Sequence, residues 1–119
     1  MKNILLEKST QLAVEVIRWG KSIQMHELAF MQNQLYRSST SVGAHVRESD
    51  SSKSKNDFVN KLKSAYQELN ETEYWIQMIE STSDEKAPSS LKNLILECKK
   101  IINSSISTSI KNSKSKPLK

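Results

Sequence analysis

The sequence predicts an all-α fold, specifically an antiparallel up-down-up-down four-helix bundle. Three observations carry that expectation. Glycine and proline number only two each in 119 residues. Apolar residues recur every three or four positions along four segments, the spacing that lines one face of a helix. Short polar stretches separate the segments, and short connections force neighbouring helices to run antiparallel. A chain so poor in turn residues cannot supply the many tight turns of a sandwich or barrel, nor a glycine-rich loop that cradles phosphate.

The first helix carries Leu5, Leu12, Val16, Trp19 and Ile23 on one stripe, flanked by Leu6, Ala13 and Ile17, and weakens near Gly20 and Lys21. The second carries Leu28, Met31, Leu35, Val42 and Val46, with Ser38 and Ser39 filling the turn between. In the third, Phe58, Leu62, Ala65, Leu69, Thr72, Ile76 and Ile79 alternate spacings of four and three. The fourth runs through Leu91, Leu94, Ile95, Cys98, Ile101, Ile102, Ser105 and Ile110. A period near 3.5 is that of helices crossing at a shallow angle. Ser54 with Asp57 reads as a cap, a hydroxyl taking a free first-turn amide and an acid at the positive helix end. Pro88 sits near the start of the fourth helix, where first-turn amides have no intrahelical partner to lose. The predicted domain is residues 1–111. Residues 112–119, Asn112 to Lys119, read as a disordered lysine-rich tail with little to bury.

Ser38 to Ala44 places seven residues no larger than valine in mid-helix, against helix propensity. Close approach of another helix or subunit is one reading. A backbone approached by ligand or nucleic acid is the other, and packing is preferred. The single cysteine, Cys98, excludes an internal disulfide and fits a reducing compartment. No apolar run reaches the length of a membrane span, and charge interrupts the first eight residues before a signal-peptide core can form. A cytoplasmic protein is expected.

The segment Gln34-Leu35-Tyr36-Arg37-Ser38-Ser39-Thr40-Ser41-Val42-Gly43-Ala44-His45-Val46-Arg47-Glu48 resembles the signature of the bacterial four-helix bundle proteins encoded by intervening sequences of large-subunit ribosomal RNA genes. Asp57 to Leu62 and Glu68 to Trp75 are similar to two further blocks of that family, in the same order, so the resemblance spans nearly the whole chain. The family usually has asparagine where His45 stands. Membership implies an up-and-down bundle that assembles as a homopentamer. The accessory protein of diversity-generating retroelements looks like a distant relative, a pentamer that binds nucleic acid and a reverse transcriptase.

Charge adds a second line. Eighteen basic and thirteen acidic residues leave a net +5. In the predicted topology one pole gathers the start of helix one, the junction of helices two and three, and the end of helix four. That pole holds Lys2, Lys8, Arg47, Lys53, Lys55, Lys61, Lys63, Lys111, Lys114, Lys116 and Lys119 against Glu7, Glu48, Asp50 and Asp57, an excess of +7, with −2 elsewhere. Lys53 and Lys55 stand where the macrodipole prefers acids by roughly 0.3–1 kcal/mol each. Glu68, Glu71, Glu73 and Glu80 fill the later half of the same helix, again against the dipole. Such an arrangement suits phosphate backbones, which bind by releasing condensed counterions, or subunit registration across an oligomer; a solvated lysine tail over an ordinary charged bundle is the other reading.

The expected nucleic-acid-binding residues are therefore Arg47, Lys53, Lys55, Lys61 and Lys63, contacting phosphates without reading sequence. Trp19 reads as core, and Trp75 as core or subunit contact, in preference to base-stacking platforms. No catalytic residue, metal site or cofactor is expected. His26 and His45 both lack the glutamate three residues before them that a di-iron bundle needs. Cys98 lies on an apolar stripe, and Glu68 and Glu71, one turn apart, read as solvated acids. The expected function is a non-enzymatic homo-oligomer that binds RNA or DNA through its basic end, with no membrane or small-molecule partner. The alternative is a protein-interaction scaffold, or an accessory factor for a reverse transcriptase, without direct nucleic-acid binding.

Overall fold

The computed structural model describes residues 3–23 and 26–115, with side chains as far as Asn112. It contains α1 (Ile4–Lys21), a short 3-10 turn (His26–Leu28), α2 (Ala29–Asp50), α3 (Lys55–Thr82) and α4 (Ser89–Ser115). Contacts run α1 to α2, α2 to α3, α3 to α4 and α4 back to α1, with the α2–α3 pair the most extensive. Each pairing is antiparallel. Gly43 faces Ser9 while Gln32 reaches Gly20, and Lys8 meets Glu97 while Glu15 meets Ser90.

The stripes read from the sequence form the core. Leu12, Val16, Leu35, Val42, Leu62, Leu69, Ile79, Leu91 and Ile102 are fully or almost fully buried. Trp19 is buried with them. Thr72, the one hydroxyl on the α3 stripe, is buried as well and shares a 2.9 Å hydrogen bond with Ser38 of α2. Burying two hydroxyls is tolerable because each also donates to, or shares with, a partner: Ser38 bonds the Leu35 carbonyl and Thr72 that of Glu68.

Caps set the helix ends. The Ser54 side chain accepts from the Asp57 amide at 3.0 Å, as the sequence predicts. At the start of α1, Asn3 accepts from the Leu6 amide and donates to both carboxylate oxygens of Asp50, at 2.9 and 2.8 Å. One side chain thus caps α1 and fastens it to the end of α2. Pro88 immediately precedes α4, and its carbonyl accepts from Leu91 and Lys92.

Two details differ from the expectation. The tight glycine approach is at Gly20 of α1, outside the Ser38 to Ala44 stretch, where a Cβ would lie 2.5 Å from Cε1 of Tyr36 of α2. Gly43 leaves ordinary space, 3.6 Å to the Ser9 hydroxyl. The small residues that are needed in α2 are Ser38 and Ser39, both fully buried between helices, which supports the packing reading. Secondly, α4 continues to Ser115, past the boundary expected at Asn112. The remainder of the predicted tail, from Lys116, lies outside the described residues. Since Glu97 is level with Lys8, the last turns of α4 overhang the start of α1, and Ile110 is exposed instead of buried.

Candidate nucleic-acid interface

The helix ends expected at one pole do meet there. The α1 N-terminus and the α2–α3 junction meet through Asn3 and Asp50, and α4 arrives beside them. A shallow depression of about 510 Å³ there is lined by Asp50, Ser52, Lys53, Lys55 and Phe58, with Ser109 from the overhanging α4. A neighbouring one of about 430 Å³ leads inward past Leu5, Val46, Leu62 and Ile101.

The five candidate residues do not form one surface. Arg47, Lys53, Lys55 and Lys63 are exposed, and Lys61 is half-buried. Lys61 and Lys63 flank the buried Leu62, so at 100° per residue they project about 160° apart around α3. Lys61 is two turns before Glu68, on the flank that faces α2; Lys63 is on the outer face. A roll of cations by axial level could not reveal this, because position along a helix and direction around it are independent. Among the described residues, no carboxylate forms an ion pair with Arg47, Lys53, Lys61 or Lys63.

The charge excess is smaller than the topology alone suggests. Lys8 is bound to Glu97 at 2.7 Å, and that carboxylate raises the Lys8 ammonium pKa above its ordinary value, chiefly through the hydrogen bond. Glu97 therefore belongs to this pole, and Lys8 is engaged. With Lys99 and Lys100, which lie nearer that end of α4 than Glu97, the described side chains there are nine cations against five carboxylates. Lys2, Lys114, Lys116 and Lys119, which completed the expected sum, lie outside the described side chains.

A second constellation joins α2 and α3 midway along the bundle, and sequence reasoning missed it. Arg37 bonds Glu71 and reaches Glu68 at 3.5 Å. His45 places Nδ1 3.1 Å from Glu48 and Nε2 3.9 Å from Glu68. Glu71 also accepts from the Trp75 indole at 3.0 Å. That bond, with the Arg37 guanidinium second, lowers the Glu71 pKa below its ordinary value, while the Arg37 pKa is raised. Glu68 and Glu71 are thus interhelical partners and not merely solvated acids. His45 and Glu48 do share a face, as their spacing predicts. The available signal was that Arg37, His45, Glu68 and Trp75 all fall within the quoted sequence blocks, which here face one another across one helix pair.

No cluster of three or more metal-ligating side chains occurs among the described residues. Cys98 is fully buried, and burial pushes its thiol up to about 11, away from the thiolate a nucleophile requires. No described helix is long and apolar enough to cross a membrane.

Fold and site together define a small four-helix bundle with charged and polar features at its pole and along its α2–α3 flank. The family model of the 23S rRNA-intervening sequence protein matches residues 1–104, and the chain belongs to that family. It is similar to the crystal structure of a protein of unknown function from the S23 ribosomal protein family of Bacteroides thetaiotaomicron. The two share 33% identity with a TM-score of 0.76, covering 87% of this chain and 98% of the other. No curated protein matches the chain.

Proposed function

We propose that this protein is a non-enzymatic homo-oligomer that binds RNA or DNA phosphates through its basic pole, needing no cofactor. The observation that carries the reading is that Arg47, Lys53 and Lys63 stand exposed at that pole without a carboxylate partner among the described residues. An exposed cation that is not engaged within the protein keeps its full attraction for a phosphate. Lys111, on the overhanging end of α4, adds another exposed cation at that pole. The placement of these groups on several sides of the pole suits contact with a flexible or wrapping backbone better than insertion into one groove. It supplies position and affinity, not base recognition.

The test is fluorescence anisotropy with labelled single-stranded and duplex RNA over a salt series. Binding that weakens linearly in log affinity against log salt is expected, with a slope of about −0.7 for each phosphate neutralised on a single strand. Absence of binding at low salt, or affinity indifferent to salt, refutes the proposal.

A further inference from the structure

We infer that the self-association in the proposed function is a contact between two different faces of the same chain: the aromatic surface of Phe30, Tyr74 and Trp75 on one copy seats against the α1 face of Val14, Arg18 and Lys21 on the next. It rests on that reading only for the existence of an oligomer.

The aromatic surface lies where the start of α2 meets the later half of α3. Phe30 is 60% exposed and Tyr74 51%. Both pack edge-on against Trp75, with ring centroids 6.4 and 5.0 Å away. The indole nitrogen already donates to Glu71, leaving apolar ring surface to be covered. Clustered exposed aromatics of this kind mark interaction sites far more often than bare solvent surface.

Charge selects the occupant. The carboxylates of Glu68 and Glu71 outnumber the Arg37 guanidinium they share, and Glu27 is exposed three residues before Phe30. That balance opposes a phosphate backbone and favours an apolar face rimmed by cations. The chain has one. On α1, Val14, Arg18 and Lys21 are exposed and spaced by four and three, which puts them on a single stripe. Glu15 beside them is engaged, accepting from Gln11 at 3.0 Å and from Ser90 of α4 at 3.3 Å. Arginine against an aromatic face is itself a favourable pairing.

The two faces also match in height. The Gly20 carbonyl, between Arg18 and Lys21, accepts from Gln32, two residues from Phe30. They point different ways, since α1 contacts α2 and α4 and has α3 diagonally across. Copies standing side by side in parallel can therefore join the acidic aromatic face of one to the basic face of the next. Such a contact is heterologous and closes into a ring when the rotation permits.

The experiment is sedimentation velocity on the full chain and two variants, Phe30→Asp and Val14→Asp/Arg18→Glu, with circular dichroism confirming helix content. All three substituted positions are exposed, and an acid at position 30 falls in the first turn of α2, where the dipole favours it. The unaltered chain is expected to sediment as an oligomer and each variant alone as a 13.6 kDa monomer. Mixing the variants is expected to give a species of two chains, because one intact copy of each face remains. An unaltered chain that is monomeric overturns the inference, as does either variant assembling normally. Pairing of Val14→Asp/Arg18→Glu with itself also overturns it, since that is aromatic face against aromatic face. So does a Phe30→Asp variant that keeps its mass but loses RNA affinity, which makes nucleic-acid bases the occupant. RNA binding by the monomers, measured separately, separates failure of this contact from failure of the phosphate reading.

Discussion

The two glycines, both inside helices, are predicted to respond to alanine with opposite signs. Neither has a positive φ, so alanine is conformationally allowed at both. In mid-helix, glycine costs about 1 kcal/mol relative to alanine. At Gly43 the added methyl meets only the Ser9 hydroxyl at 3.6 Å, so Gly43→Ala is expected to stabilise by about 0.5–1 kcal/mol. At Gly20 the methyl falls 2.5 Å from Cε1 and 2.7 Å from Cζ of Tyr36, with the hydroxyl nearer still. Displacing that ring costs about 1–3 kcal/mol, and the propensity gain is reduced in the last turn of α1. A net loss of about 1–2 kcal/mol is expected for Gly20→Ala. Urea unfolding followed by circular dichroism, at one fixed protein concentration because association adds to stability, reads both changes. In a Tyr36→Ala background the penalty at Gly20 should vanish, a coupling of about 1–2 kcal/mol. Equal stabilisation at both glycines, or a Gly20 penalty indifferent to Tyr36, refutes the close approach between α1 and α2.

Other consequences concern the polar contacts. Ser38→Ala and Thr72→Val should each cost about 1 kcal/mol in the same assay, and together less than their sum, because the double variant leaves neither hydroxyl without the other. The Glu71 pKa is lowered by Trp75 and Arg37. For Glu80, burial opposes ionisation, but the Lys92 ammonium and the Ala87 amide lower its pKa overall. A carboxylate with a depressed folded-state pKa contributes stability above its ordinary value of 4.5 and loses it as pH falls through the folded value. The urea midpoint should therefore drop on acidification below about pH 4.5, and Glu71→Gln should flatten that decline.

The helices were legible because burial imposes a period on the sequence. The α3 stripe from Leu62 to Ile79 is buried at every predicted position, including Thr72, whose hydroxyl gave no warning of its partner. Partners between helices were not legible, since spacing within a helix carries no register against its neighbour. Arg37 with Glu71, and Lys8 with Glu97, depend on how far one helix slides along another. The overhang of α4, which exposes Ile110, comes from the same register. At the pole, chain direction correctly brought Lys53 and Lys55 near the end of α4. Lys61 and Lys63 parted because adjacent odd positions on a helix diverge, a fact the helical period contains but a charge sum discards. The aromatic surface was half legible: Trp75 read as core or subunit contact, while the exposure of Phe30 had no marker in an apolar stripe that begins at Leu28.

The most direct test of the central claim is RNA affinity of Lys53→Glu/Lys63→Glu measured beside its thermal stability. Lys53 precedes the α3 cap and opposes the helix dipole, so its reversal should raise or preserve stability, by roughly 0.3–1 kcal/mol at most. Affinity at low salt should nevertheless fall, and the salt slope should flatten by about 0.7 for each lost phosphate contact. A variant that binds RNA as tightly and with the same slope as the unaltered chain would contradict a phosphate-binding pole.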